Sequence, residues 1–218
     1  MLELLEVPLL IAVPLCMLVL VAAGIAQTAF VMLGVVALVL VLFFAGFEAS
    51  RPGLRQIMPT LVLAALAAAG RILFAPVPHF KPTSAIAIIA GAVLGPRAGF
   101  MVGAIAALRA TSFFGQGMWT PWQMYAWGLV GYLGGALAAR GAFHRHDGEV
   151  RMASLLAYGA LSAFIYGGII NAYDIIGFIR PLTWEGALVR IVAAAPFDAV
   201  HAVATVVILW QRCLRLWT

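Results

Sequence analysis

Charged residues are scarce in this sequence. Only 10% of its 218 residues are Asp, Glu, Lys or Arg, against about 25% in a soluble domain, whereas 65% are hydrophobic. This composition excludes a water-soluble globule. Eight membrane spans of about 20 residues would use almost the whole length, so the chain has no room for a separate soluble catalytic domain.

Cysteines and phosphate-binding loops are scarce or missing too. Cys16 and Cys213 have no Cys or His neighbour at ligand spacing, so we expect no disulfide framework, no metal site and no cofactor. The sequence has no Walker-type glycine loop, so we expect no ATP hydrolysis by the chain itself. The net charge of +5 comes from residues scattered between apolar runs, which is typical of membrane topology signals and not of a nucleic-acid-binding face.

The apolar runs predict an all-α integral membrane protein with eight spans. The spans lie near 7–25, 29–47, 57–75, 84–94, 99–114, 122–139, 153–179 and 187–211. The stretch 84–114 is too long for one crossing, and we divide it at the Gly-Pro-Arg sequence of 95–97, where Pro removes a backbone donor. Pro8 and Pro14 would kink the first helix, which is tolerated where a neighbouring helix satisfies the freed carbonyl.

The basic residues predict that both termini are cytoplasmic. With the amino terminus inside, the outer connections hold only Lys81 and Arg180. The inner connections and the tail hold Arg51, Arg55, Arg97, Arg140, Arg145, Arg151, Arg212 and Arg215. Because Lys and Arg concentrate on the cytoplasmic side, we expect a multi-pass protein of the cell membrane in this orientation.

Four charged residues fall inside spans in the outer third of the membrane. They are Arg71, Arg109, Asp174 and Arg190. A charge facing lipid costs about 2.5–3.5 kcal/mol on insertion scales, so we expect the four to line a shared polar cavity that opens outward. The alternative is that each side chain snorkels to the outer headgroups.

The predicted outer loops supply candidate ligand contacts. Loops 76–83, 115–121 and 180–186 combine Pro or Gly with aromatic and hydrogen-bonding side chains. The side chains that we expect at the mouth of the cavity are His79, Lys81, Gln116, Trp119 and Gln123. For the tryptophans at 119, 122, 127 and 184 the alternative is the interfacial aromatic belt, which does not explain the two glutamines.

Two other classes of function stay open at this point. An intramembrane hydrolase would use Ser162 as nucleophile and His201 as base, although Ala163 stands where such proteases carry Gly. Asp198 and His201 lie three residues apart on one helix face, and we expect them to be a hydrogen-bonded pair rather than metal ligands. The third possibility is a structural membrane subunit that binds no ligand.

Three segments of the sequence resemble a known family. They are 70–85 (GRILFAPVPHFKPTSA), 95–100 (GPRAGF) and 113–124 (FFGQGMWTPWQM). Together they look like the substrate-binding S component of energy-coupling factor (ECF) vitamin transporters, and the resemblance covers about residues 57–211. It implies a six-helix core within 51–218, preceded by two extra transmembrane helices within 1–50.

The resemblance also implies a function and partners. The chain would be a non-enzymatic subunit of an ABC importer that captures a vitamin or related micronutrient from outside and docks on a transmembrane coupling subunit driven by two cytoplasmic ATPases. Ala64 and Ala68 would face the coupling subunit, and the loop 76–83 would gate the pocket. The excess of cations suggests a substrate with carboxylate, phosphate or many carbonyl acceptors. Among vitamins, a cobalamin-like corrinoid or its precursor fits a pocket rich in aromatics and amides, with a flavin, a thiamine precursor or a queuosine precursor as alternatives.

Overall fold

The computed structural model describes residues 2–22, 28–144 and 149–215, without the side chains of 2–5, 18, 20–22, 28–29 and 212–215. All eight elements in these ranges are α-helices. They are α1 (Leu2–Ala22), α2 (Thr28–Ala49), α3 (Leu54–Leu73), α4 (Thr83–Leu94), α5 (Pro96–Phe114), α6 (Trp119–Ala139), α7 (Met152–Phe178) and α8 (Trp184–Arg215). The predicted all-helical fold with eight segments is therefore confirmed. Of the basic residues counted for orientation, Arg145 and the side chains of Arg212 and Arg215 lie outside the described part.

Four described helices are long and apolar enough to cross a membrane. They contain the segments Phe30–Ala49, Leu54–Leu73, Met152–Phe178 and Trp184–Gln211. α4 has 12 residues and spans about 18 Å, less than the roughly 30 Å hydrocarbon layer. α4 and α5 meet where the sequence predicted a break, because Gly95 has a φ of 97° and Pro96 occupies the first turn of α5.

α6 lies at the centre of the fold and packs against α4, α5 and α7, while α3 packs on α4 and α5, and α8 on α7. Four glycines, namely Gly91, Gly99, Gly131 and Gly135, bring the backbones of α4, α5 and α6 into direct contact. A side chain at any of them would overlap the backbone of a neighbouring helix. This close approach explains the small-residue spacing on α6, since membrane helices gain stability from tight packing between small residues.

The two N-terminal helices are tied to the other six by specific polar contacts. Tyr125 on α6 donates a hydrogen bond to the backbone carbonyl of Leu10 at 2.6 Å. Pro14 has no N–H to offer that carbonyl within α1, so Tyr125 satisfies the group that the proline frees. The kink compensation expected from the sequence is thus supplied by another helix.

Glu6 makes the second link between α1 and the core. Its carboxylate forms an ion pair with Arg97 at the start of α5 and accepts a hydrogen bond from the Tyr132 hydroxyl at 3.0 Å. On α2, the Phe43 ring stacks on Phe100 with centroids 4.1 Å apart. α1 and α2 therefore contact the core through both polar and aromatic groups. The division into two N-terminal helices within 1–50 and a six-helix core within 51–218 stays a prediction.

Replacing Glu6 with Gln should lower the stability of the protein. The amide keeps an acceptor for Tyr132 but loses the charge that pairs with Arg97, and hydrogen bonds to charged groups contribute about 1.5–3 kcal/mol each. We expect a lower melting temperature of the purified protein in detergent. Glu48→Gln, at an exposed position on α2, is the matched control. Equal melting temperatures for the two variants would contradict this role of Glu6.

Candidate functional site

A cluster of cations and aromatic rings lies where α3, the loop 74–82, α6 and α7 meet. The Arg71 guanidinium carbon lies 4.7 Å from the Trp127 ring centroid. The Lys81 ammonium lies 5.7 Å from the same centroid and 5.1 Å from that of Tyr166. Trp127 and Tyr166 stack on each other with centroids 4.4 Å apart. Cations are attracted to the faces of aromatic rings, so this arrangement holds two positive charges over one aromatic surface.

Arg71 is held from several sides at the outer end of α3. It donates a hydrogen bond from Nη1 to Oε1 of Gln123 on α6 at 3.0 Å, and its guanidinium lies 5.4 Å from the Phe114 ring centroid. The structure thus brings together two predicted site residues that lie 52 positions apart in the sequence. Gln123 presents a neutral acceptor, so the charge of Arg71 is not cancelled by this contact.

His79 and Lys81 both belong to the loop 74–82 between α3 and α4. The His79 ring packs on Phe197 of α8 with centroids 4.6 Å apart. Burial lowers the pKa of His79, and the charge of Lys81 lowers it further. Burial likewise lowers the pKa of Lys81 to about 8, with a further contribution from the charge of Arg71, while Asp198 acts in the opposite direction. The loop therefore presents a lysine that titrates close to physiological pH.

A buried hydrogen-bond chain lies beneath the aromatic pair. Trp127 Nε1 donates to Ser84 Oγ at 3.1 Å, and the same oxygen lies 2.8 Å from His201 Nε2. Because Ser84 accepts from Trp127, its own proton is available for His201. This hydrogen-bond chain holds in place the indole ring over which the two cations lie. Sequence reasoning did not select Ser84 or Tyr166, and the aromatic belt that it gave as the alternative for Trp127 does not apply, because this side chain is fully buried.

Asp174 and Arg190 pair with each other, joining α7 to α8. Arg190 Nε donates to Asp174 Oδ2 at 3.1 Å, and a second, closer contact comes from Nη2. On α8, the Asp198 carboxylate lies against Gly167 and is hydrogen-bonded by Asn171. The prediction that Asp198 pairs with His201 is wrong, because each of these residues has a partner on another helix.

Besides Asp174 and Arg190, three more predicted site residues lie outside this cluster. Arg109 lies on the exposed face of α5. Gln116 hydrogen-bonds with Nε2 to the Ser112 hydroxyl at 2.9 Å and to the Leu108 carbonyl at 3.3 Å, so it caps the end of α5. Trp119 is 42% exposed at the start of α6, as an interfacial tryptophan would be. Of the four charges predicted to share one cavity, only Arg71 belongs to the cluster, because Asp174 and Arg190 pair with each other and Arg109 is exposed.

The proposed hydrolytic dyad is not formed. Ser162 donates its hydroxyl to the Gly159 carbonyl at 2.7 Å, and His201 is engaged by Ser84 instead. Both side chains are buried. Without contact between nucleophile and base, this geometry gives the hydrolase alternative no support. In the part of the chain that the structure describes, no group of three His, Cys, Asp or Glu side chains could hold a metal ion.

Ala64 and Ala68 on α3 are covered by the chain itself. Both are buried, and Ala64 packs in a small cluster with Ala87 and Val102. This corrects the prediction that these two alanines face a partner subunit. The exposed side of the same helix carries Ala65 and Ala69 instead, because a shift of one residue turns a side chain by about 100° around the helix.

Two cavities adjoin the outer end of α3. The smaller one has a volume of about 170 Å³ and is lined by Arg71, Lys81, His79, Phe74, Phe80 and Phe114 among others. The larger one, about 830 Å³, lies between α3, α4 and α8 and has an almost entirely apolar lining. The small cavity combines aromatic and hydrogen-bonding groups, so it is the one suited to a polar, planar solute.

A family model described as "ECF-type riboflavin transporter, S component" matches residues 53–211 of the chain. The match begins just before α3 and ends within α8, so it contains the whole cation–aromatic cluster and leaves α1 and α2 outside. No solved structure matches the chain.

Proposed function

This chain belongs to the family of S components of ECF transporters, the substrate-specific membrane subunits of these vitamin importers, and from that premise we propose that it captures a flavin at the extracytoplasmic side of the cell membrane. Riboflavin is the substrate named by the family model that matches. The observation that carries the proposal is the pair of cations, Arg71 and Lys81, held over the stacked rings of Trp127 and Tyr166.

The chemistry of this cluster suits a flavin. An isoalloxazine ring is planar and aromatic, and its carbonyl oxygens accept hydrogen bonds. Arg71 offers a rigid fork of donors and Lys81 a mobile ammonium, so both can reach such carbonyls while aromatic rings contact the face of the ligand. The flavin takes the place of the corrinoid expected from the sequence, because the family model that matches names riboflavin.

The loop 74–82 has the role of a gate in this proposal. A volume of about 170 Å³ lies below the roughly 300–1,000 Å³ of typical ligand pockets, so ligand entry requires the loop to move outward. His79 and Lys81 travel with the loop, whereas Arg71 and Gln123 lie on helices. The ligand would then be held between side chains fixed on helices and side chains on the mobile loop.

Transport requires further subunits. We infer that a transmembrane coupling subunit and two cytoplasmic ATPases supply the energy, as the family implies. On α3 the exposed face that includes Leu61, Ala65 and Ala69 is available for the coupling subunit. The inferred orientation, with both termini in the cytoplasm, directs the cation–aromatic cluster toward the outside.

The test is a ligand screen by thermal unfolding of the full chain in detergent. Riboflavin is expected to raise the melting temperature, because a ligand at a hundredfold excess over its Kd stabilises the native state by about 2.7 kcal/mol. Cobalamin and thiamine serve as comparison ligands. Mass spectrometry of small molecules that copurify with the protein gives an independent answer.

Each outcome decides between the open functions. A shift with riboflavin alone supports the flavin proposal. A shift with cobalamin and none with riboflavin would establish the corrinoid instead. If no vitamin changes the melting temperature, the structural subunit without a ligand is the better description.

A further inference from the structure

The larger cavity, of about 830 Å³, has no part in the function proposed above. Its lining includes Leu66 and Ala69 of α3, Ile86 of α4 and Ile208 of α8. Gln211 supplies the only polar side chain among the described residues that line it. Because Leu66 and Ala69 are also exposed, this cavity is a groove that opens sideways between α3 and α8, and we call it the lateral groove.

The lateral groove lies at the depth of the hydrocarbon layer. The two helices that flank it contain the candidate membrane spans Leu54–Leu73 and Trp184–Gln211. In the inferred orientation α3 runs outward and α8 runs inward, so Phe74 marks the outer end of the groove and Gln211 its inner end. Apolar cavities do not hold water, so hydrocarbon is the medium that can fill this one.

The lateral groove is too small to receive a helix of a partner protein. A helix with its side chains is about 10–12 Å across, so a ten-residue segment about 15 Å long needs about 1,200 Å³ or more. The groove offers about 830 Å³. A single acyl chain is slender and flexible, and it would restore the dispersion contacts that an empty apolar groove forgoes.

A cation lies at the inner end of the helix face that lines the lateral groove. Arg55 precedes Leu66 by eleven residues, about three helical turns, so both residues lie on the same face of α3. Arg55 is exposed and forms no ion pair with another residue that the structure describes. In the inferred orientation it lies at the level of the cytoplasmic headgroups, where basic residues attract anionic lipids. The shape of the groove and the charge at its inner end therefore fit the same kind of ligand.

We propose that the lateral groove binds one acyl chain of an anionic phospholipid from the cytoplasmic leaflet, with the headgroup of this lipid at Arg55. The Gln211 amide, at the inner end of the groove, is a further donor for phosphate or ester oxygens. Phe74 and Phe80, whose ring centroids lie 4.8 Å apart, line both the lateral groove and the small cavity. The end of the acyl chain therefore packs behind a wall of the ligand site, and its binding does not depend on which vitamin that site takes.

The experiment measures lipid binding to the full chain in mild detergent by native mass spectrometry. The probes are dioleoyl-phosphatidylglycerol, which is anionic, and dioleoyl-phosphatidylcholine, which has the same acyl chains and no net charge. We expect the unchanged protein to bind one phosphatidylglycerol molecule, about fivefold more tightly than phosphatidylcholine, as one basic residue near the membrane surface would give.

Two pairs of variants test the two parts of the lipid site. Ala69→Trp fills part of the groove and should weaken both lipids about tenfold, because lost burial of two methylene groups suffices for that change. Ala65→Trp, at an exposed position that does not line the groove, is its control. Arg55→Gln should abolish the preference for phosphatidylglycerol, whereas Arg140→Gln, which removes an exposed cation at the inner end of α6, should preserve it.

A phosphatidylglycerol with a photoreactive diazirine at the end of its acyl chain gives an answer that requires no variant to fold. Cross-links are expected on the peptide that contains Phe74 and Phe80. Equal labelling of this peptide and of the exposed side of α1 would overturn the proposal. So would equal affinity for the two lipids, or equal binding to Ala69→Trp and Ala65→Trp. A lipid-free dimer of the unchanged protein would instead assign the groove to a second copy, and failure of riboflavin to bind would leave these results unaffected.

Discussion

Replacing Gly131 with Ala is expected to destabilise the protein by about 3 kcal/mol, at the upper end of the range for overpacked cores. The added Cβ would overlap the carbonyl group of Gly99 on α5. The atoms that would have to move are backbone atoms of two helices, so rotation of a side chain cannot relieve the overlap. The expected result is a strongly lowered melting temperature, or loss of the folded protein on extraction into detergent.

Gly168→Ala on α7 is the matched control for this substitution. No heavy atom lies within 4 Å of the position that its Cβ would take. Alanine stabilises a helix interior by about 0.5–1 kcal/mol relative to glycine, so this variant should be unchanged or slightly more stable. Opposite effects of the same substitution would show that close backbone contact, and not glycine content, is what α6 requires. Similar melting temperatures for both variants would refute the packing described for α5 and α6.

Replacing Arg71 with Ala is expected to weaken flavin binding roughly 100-fold, as the loss of charged hydrogen bonds to a buried ligand would. The substitution removes a donor to the ligand and also the hydrogen bond that orients Gln123. Thermal unfolding of the ligand-free variant shows whether it still folds. The measurement is the Kd for riboflavin, compared with that of the unchanged protein.

Ser162→Ala is the control that separates transport from hydrolysis. Its hydroxyl is bonded within α7 and lies outside the cation–aromatic cluster, so this variant should bind riboflavin normally. A hydrolase using Ser162 and His201 predicts the reverse, with binding retained in Arg71→Ala and activity lost in Ser162→Ala. Normal riboflavin affinity in a folded Arg71→Ala variant would remove Arg71 from the site.

The outer site could be predicted in part. Sequence reasoning selected Arg71 because a charge within an apolar span is costly, and Lys81 and Gln123 because they lie in or beside the outer loops. The structure brings these three into one region. It also selected Gln116, which hydrogen-bonds to α5 instead. The end of a helix leaves carbonyl groups without hydrogen-bond donors. The local backbone path decides whether a nearby amide side chain donates to these carbonyls or to a ligand.

The sequence by itself determined the helices and their breaks, because these depend on local chemistry. Apolar runs of a given length, together with Gly95 and Pro96, fix where helices form and end without reference to distant residues. The positions of the charged residues within the spans likewise predicted that these residues lie toward one side of the membrane.

Only the tertiary structure decided which side chains meet. Ser84 and His201 are 117 positions apart, and Tyr125 and Leu10 are 115 apart, so no local pattern links them. Which face of α3 is covered also follows from packing: Ala64 is buried while Ala65 is exposed, although the two are chemically identical. Such contacts arise because whole helices fit against one another, and no local segment of the sequence specifies that fit.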